Sequence, residues 1–123
     1  MKILYKRNMP IVRIRVKGLK GEKEYEAYLD TGASKCLVPE KDAEEIGLPY
    51  AGDMEIITGT GKDYIKLYKA IVKFLNKEYT ILIFGKNLPE QAAIKAIVGR
   101  DILDNYKICF NGKAKEIEIS ELH

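Results

Sequence analysis

The sequence has few residues of the kinds that bind metals or form cross-links. It contains a single histidine, the terminal His123, and two cysteines, Cys36 and Cys109. The cysteines lie far apart and lack the short paired spacing of zinc sites and redox motifs. We therefore expect no metal site and no cofactor. Both cysteines are predicted to be reduced and buried as small apolar residues, and His123 is expected to have no role at a frayed terminus.

Long apolar segments are also missing. Residues 1–7 lack the apolar core of a secretory signal, and no segment approaches the roughly 20 apolar residues that a membrane-spanning helix needs. The hydrophobic content of 46% is nevertheless sufficient for a buried core. These features predict one soluble domain over residues 1–123, located in the cytoplasm and without a membrane partner.

Concentrated positive charge is the third missing feature. The 21 basic and 18 acidic residues give a net charge of +3 and are mixed along the chain. Proteins that bind nucleic acid usually have a basic face with interleaved aromatic residues. We therefore predict no nucleic-acid partner. A basic β-barrel that binds nucleic acid is the least favoured function, and salt-sensitive binding to DNA or RNA would support it.

Short apolar segments rich in β-branched residues alternate with turn residues about every ten positions, which predicts a mostly β domain. Four hairpins are expected. The first joins strands at 11–17 and 25–29 through residues 18–21, and the second joins strands at 54–57 and 64–68 through residues 58–62. The third joins strands at 71–75 and 79–84 through residues 76–77. The fourth joins strands at 107–110 and 116–119 through residues 111–112.

Two short helices are predicted between the strands. The first begins at Pro39, because proline is tolerated in a first turn, and Gly47 is a plausible end. The second follows Gly99, after a strand at residues 94–98, with Asp101 near its start. Its buried face is expected to contain the three residues that recur at helical spacing, Ile102, Leu103 and Tyr106.

The most informative segment is Ala27-Tyr28-Leu29-Asp30-Thr31-Gly32-Ala33-Ser34. An acidic residue directly after an apolar strand is unusual, because a buried charge is costly, and the glycine that follows permits a sharp turn. Asp30 is therefore predicted to lie at a strand end. The Asp-Thr-Gly sequence alone is also typical of an ordinary turn in which the aspartate caps its own backbone, so both interpretations stay open at this point.

A second segment favours a functional interpretation of Asp-Thr-Gly over that of an ordinary turn. About 70 residues downstream, Ala96-Ile97-Val98-Gly99-Arg100-Asp101-Ile102-Leu103 gives two β-branched residues, a glycine and a short helix. With a glycine-bearing hairpin between them, the two segments resemble the retroviral-type, or retropepsin-like, aspartic peptidases over roughly residues 9–120. The resemblance implies an all-β fold, a closed acid-protease-like barrel with one or two short helices, that forms half of a two-fold symmetric dimer.

The resemblance also implies roles for individual residues. Asp30 corresponds to the catalytic aspartate, Thr31 to the threonine that locks two active-site loops across the dimer, and Gly32 to a loop glycine that contacts substrate. The implied substrate-binding residues are Ala33 and the flap residues Gly59, Thr60 and Gly61. The same hairpin tip also fits an ordinary turn without a flap role.

This sequence departs from the family pattern after Ala33. Many retroviral enzymes continue with further acidic residues, whereas Ser34 and Lys35 follow here. Substrate preference therefore does not transfer. Arg100 matches a common arginine at the start of the family's helix, but position 34 does not supply its usual ion-pair partner. We predict a structural role for Arg100.

The chemistry explains why a dimer is expected. Amide hydrolysis needs a base for the attacking water and an acid for the leaving nitrogen, and two close carboxylates supply both. The chain has one Asp-Thr-Gly, so a homodimer would place two copies of Asp30 side by side. The predicted function is an aspartic endopeptidase that cleaves extended polypeptides. The alternative is a catalytically inactive, dimeric peptide-binding module of the same fold, which a proteolysis assay would distinguish.

Overall fold

The computed structural model describes residues 1–122, so His123 and the prediction made for it lie outside the described residues. Within residues 1–122 the chain forms ten strands and two short helices, α1 (Glu40–Glu45) and α2 (Arg100–Leu103). Neither of these helices has the length and apolar character needed to cross a membrane. The strands are β1 (Lys2–Leu4), β2 (Ile11–Lys17), β3 (Glu22–Leu29), β4 (Leu37–Val38), β5 (Tyr50–Thr58), β6 (Gly61–Phe74), β7 (Lys77–Gly85), β8 (Ala96–Val98), β9 (Tyr106–Asn111) and β10 (Glu116–Glu121).

Six strands close into a barrel, which confirms the predicted fold class. The order is β2-β3-β8-β4-β7-β6, and a pairing between β2 and β6 completes the ring, while β5 extends outward from β6. Side chains alternate along each strand, so on β2 Ile14 and Val16 are buried while Arg13 and Arg15 face outward. The barrel interior contains the largest fully buried side chain, Phe74.

The two ends of the chain form a separate three-stranded sheet in the order β1-β10-β9. Ile117 and Ile119 of β10 are buried with the barrel core, which fastens this sheet to the barrel. Both outer strands, β1 and β9, leave one edge unpaired in the described chain. The sheet and its flanks also expose several large apolar side chains, Met1, Leu4, Phe110 and Leu122.

The structure corrects several boundaries predicted from the sequence. Residues 64–68 and 71–74, predicted to lie in two strands, belong to the single 14-residue strand β6. The following turn is Leu75-Asn76, one position earlier than predicted, and both residues have positive φ angles of 49° and 66°. This is the backbone geometry of a tight hairpin turn that matches the twist of the strands. Strand twist and pairing thus decided the turn position.

The last hairpin also differs from its prediction. Asn111 ends β9, and residues 112–115 form a longer loop in which the Asn111 side chain accepts a hydrogen bond from the Ala114 amide at 2.9 Å. Tyr106 begins β9 instead of extending the helix, because α2 ends at Leu103. Cys36 is buried as predicted, but Cys109 is exposed, so the prediction for Cys109 was wrong for the single chain.

Candidate active site

Barrel strands place Asp30 at the end of β3. This strand pairs in parallel with β8, with Leu29 opposite Val98. The pairing extends by one more bond, because the Asp30 amide donates to the Val98 carbonyl at 3.0 Å. Asp30 is half-buried as a result. Its backbone is therefore held by the sheet, while its side chain stands at the edge of the barrel.

The loop after Asp30 is a tight turn. Asp30 Oδ1 accepts a hydrogen bond from the Gly32 amide at 2.8 Å, and the Ala33 amide donates to the Asp30 carbonyl at 3.2 Å. A Cβ atom at Gly32 would lie 3.1 Å from the same Oδ1, which is a tight contact. Within residues 1–122 the second carboxylate oxygen, Oδ2, makes no hydrogen bond. The turn thus orients the carboxylate and leaves one oxygen available.

Arg100, at the start of α2, fastens this loop at two points. Its amide donates to the Ala33 carbonyl at 2.8 Å, and its side-chain Nη1 donates to the Thr31 carbonyl, also at 2.8 Å. A backbone carbonyl therefore takes the place of the acidic partner that is missing at position 34. The sequence predicted a structural role for Arg100 but gave no indication of this acceptor.

Asp101 holds the other end of the loop, at Cys36. Its two carboxylate oxygens lie 3.1 Å and 3.0 Å from the Cys36 amide, and Oδ1 also lies 3.3 Å from Cys36 Sγ and 3.0 Å from the Ile102 amide. Burial raises the pKa of the Cys36 thiol, and the charge of Asp101 raises it further, so the thiol stays protonated. Sequence analysis missed this contact because the two residues are separated by 65 positions.

Gly99 allows the loop and the helix to approach each other. A Cβ atom there would lie 2.6 Å from the carbonyl carbon and oxygen of Lys35 and 2.8 Å from its nitrogen. These are backbone atoms that cannot rotate away. The close approach of the Lys35 backbone thus requires glycine at position 99. The φ angle of −98° is one that other residues also adopt, so it does not explain the glycine.

The hairpin of β5 and β6 carries the predicted flap residues. Gly59, Thr60 and Gly61 are exposed at its tip, and Gly61 has a φ angle of 124°. Thr58 Oγ1 donates to the Gly61 carbonyl at 2.9 Å, which closes the turn. The adjoining Ile57 side chain is 85% exposed. Within the described chain, no hydrogen bond joins this tip to the Asp30 loop.

The predicted site residues therefore fall into two groups. Asp30, Thr31, Gly32 and Ala33 share one loop, and Thr31 and Gly32 are exposed there. The three hairpin residues form a separate group. None of five surface cavities with volumes of about 120–490 Å³ is lined by residues 30–33. The half-buried Asp30 carboxylate therefore lies outside these five cavities.

A family model described as aspartyl protease matches residues 12–76. This chain belongs to the aspartyl protease family. The match includes most of β2, together with β3, the Asp30 loop and the β5–β6 hairpin, and so contains both groups of predicted site residues. Comparison with curated proteins found no match.

Solved structures share the fold of this chain. The protease of Simian Foamy Virus (mac) has a TM-score of 0.57 and 18% identity, covering 76% of this chain and 91% of that one. EIAV protease, solved with the inhibitor HBY-793, has a TM-score of 0.59 and 16% identity, covering 83% and 92%. A retropepsin-like aspartic protease from Rickettsia conorii has a TM-score of 0.57 and 17% identity, covering 100% and 92%. The resemblance to retropepsin-like proteins is thereby confirmed at the level of family and fold, and the roles of individual residues stay predictions.

Proposed function

We propose that this chain is an aspartic endopeptidase that acts as a homodimer, with one Asp30 carboxylate contributed by each chain. The observation that carries the proposal is the state of the Asp30 side chain: one oxygen is fixed by the Gly32 amide, and the other makes no hydrogen bond within residues 1–122. A carboxylate held in this way is oriented for proton transfer before substrate arrives.

The second carboxylate has to come from a second chain. The obvious candidate within the chain is Asp101, which lies in the downstream motif. Its oxygens already accept hydrogen bonds from the Cys36 amide, the Cys36 thiol and the Ile102 amide. It therefore cannot serve as the partner of Asp30. A two-fold axis beside the exposed Asp30 loop provides an identical carboxylate instead.

The terminal sheet supports the same assembly. Its outer strands β1 and β9 leave unpaired edges, which commonly add a strand from another chain. Exposed apolar side chains such as Leu4, 69% exposed, and Leu122, 56% exposed, lie on or beside this sheet. Pairing with a second copy would bury such groups.

The chemistry then follows from two carboxylates that share one proton. The ionised carboxylate takes a proton from a water molecule, whose oxygen attacks the peptide carbonyl, while the protonated carboxylate donates its proton to the carbonyl oxygen. Proton transfer to the amide nitrogen then allows the carbon–nitrogen bond to break. Water is the nucleophile, so no covalent intermediate with the enzyme forms. The exposed backbone of residues 59–61 is proposed to cover an extended substrate segment.

Replacement of Asp30 tests this proposal. We expect Asp30→Asn to remain folded and dimeric but to lose peptide cleavage, because the amide keeps the shape of the side chain and removes both the acid and the base. Asp104→Asn is the matched control, since Asp104 is exposed and lies outside the loop. Cleavage at the parental rate by Asp30→Asn would contradict the assignment. A parent protein that binds peptides without cleaving them would instead identify the inactive binding module.

A further inference from the structure

A second surface feature lies away from the Asp30 loop. A cavity of about 390 Å³ separates the tip of the β2–β3 hairpin from the outer faces of β6 and β7. Its walls are mainly apolar and include Leu19, Pro49 and Ile71, with Lys17 and Lys69 at its margin. The volume is within the range of sites that hold small ligands or peptide side chains.

The exposed leucine of this cavity is held on a fixed backbone. Leu19 is 85% exposed, although its amide donates to the Gly47 carbonyl at 3.1 Å and the Lys20 amide donates to the Ile46 carbonyl at 2.9 Å. A Cβ atom at Gly18 would lie only 2.3 Å from the Ile46 carbonyl oxygen, which shows how closely the tip packs. The leucine is thus presented to solvent by an ordered segment.

Two lysines, Lys17 and Lys69, lie at the margin of the cavity. Arg15, on the outer face of β2, is bonded to Glu22 at 3.4 Å and Glu24 at 3.6 Å. Lys17 follows on the same face, but Glu22, which is opposite it in register, is bonded to Arg15. Lys69 is opposite Leu82. Among the described residues, neither lysine has an ion-pair partner, so two uncompensated positive charges flank an apolar cavity.

The cavity is separate from the candidate active site. Leu19 lies just before the start of β3, and Asp30 follows its end. A strand of this length spans about 25 Å at roughly 3.3 Å per residue. A molecule bound at the hairpin tip therefore would not touch the Asp30 carboxylate of the same chain.

We propose that this cavity docks a peptide segment of a partner protein in which a large apolar side chain is flanked by aspartate or glutamate. The apolar side chain enters between Leu19, Pro49 and Ile71, which removes apolar surface from water on both sides. The flanking carboxylates approach Lys17 and Lys69, which select an acidic segment over a basic one. This function does not depend on peptide cleavage.

Peptide binding to the full chain tests the proposal. The probe is a fluorescent peptide of about ten residues with a central leucine and two glutamates on each side, and Asp30→Asn protein prevents its cleavage. We expect saturable binding by fluorescence anisotropy, with amide NMR shifts concentrated at Leu19, Lys69 and Ile71. Replacing the peptide leucine by serine, or its glutamates by glutamine, should weaken binding at least about tenfold.

Matched protein variants complete the test. Leu19→Ser and Lys69→Glu change exposed side chains and should each weaken binding about tenfold. Lys113→Glu makes the same charge change in the exposed β9–β10 loop and should leave binding unchanged. Absence of binding up to about 1 mM peptide would overturn the proposal, as would an equal loss of binding in Lys113→Glu. NMR shifts confined to residues 30–33 or 57–61, without shifts at Leu19, Lys69 and Ile71, would also overturn it. Binding to anionic vesicles without binding to the peptide would also overturn it. The peptidase proposal is tested separately, by cleavage.

Discussion

Arg100 Nη1 donates a 2.8 Å hydrogen bond to the carbonyl oxygen of Thr31, a residue 69 positions earlier in the chain. The bond joins the two sequence motifs, since Thr31 belongs to Asp-Thr-Gly and Arg100 follows Gly99. Together with the bond from the Arg100 amide to Ala33, it makes the position of the Asp30 loop depend on α2.

Replacing Arg100 by lysine should reduce cleavage more than it reduces stability. Lysine keeps the charge but lacks the planar fork that reaches the Thr31 carbonyl. Because Arg100 is exposed, we expect a loss of only about 1 kcal/mol in the free energy of unfolding. A displaced loop should lower kcat about tenfold or more. Arg13→Lys on the outer face of β2 is the control, and parental kcat in Arg100→Lys would disprove the positioning role.

The two glycines Gly99 and Gly112 provide a matched pair for a packing test. An alanine Cβ at Gly99 would meet the Lys35 backbone at 2.6 Å, whereas nothing lies within 4 Å at Gly112. Gly99→Ala should therefore lower the free energy of unfolding by about 1–3 kcal/mol, and Gly112→Ala by less than about 0.5 kcal/mol. Urea unfolding measures both values. Equal stability of the two variants would show that the close contact at Gly99 is absent in solution.

Activity should follow a bell-shaped pH profile with its maximum on the acidic side of neutral. Two adjacent carboxylates hold one proton, because repulsion opposes the loss of that proton. Protonation of the second carboxylate removes the base and gives the acid limb, whereas loss of the shared proton removes the acid and gives the alkaline limb. The measurement is kcat/KM against pH, with dimer content followed at each point. A rate that rises steadily into alkaline pH with an intact dimer would exclude the carboxylate pair.

Activity per chain should fall on dilution. In the proposed homodimer each chain supplies one Asp30 carboxylate, so dissociation would leave no complete site. Sedimentation should show a dimer at the concentrations where cleavage is observed, and the two quantities should decline together. Constant activity per chain in a preparation that sediments as a monomer would require a second carboxylate from the same chain, and the homodimer would then be rejected.

Local sequence determined much of the fold. The alternation of Ile14 and Val16 with Arg13 and Arg15 fixed the inner face of β2, because side chains on a strand alternate between its two sides. The turns near residues 18–21 and 59–60 were similarly evident from their glycines. Turn positions were predicted less accurately where the twist of the strands determined them. The Leu75-Asn76 turn lies one position from its prediction, and β6 runs straight through residues 64–74, where two strands were expected.

For the candidate site, too, the sequence determined some features and the tertiary structure determined others. The sequence by itself determined that Asp30 follows an apolar strand and that a glycine and a short helix come about 70 residues later, because composition and spacing are properties of the chain. Only the tertiary structure decided which groups hold the loop. It assigned the Thr31 carbonyl to Arg100 and the Cys36 amide to Asp101, because hydrogen-bond partners depend on distance and direction in space, and residues separated by 65 positions or more carry no local signal of their contact.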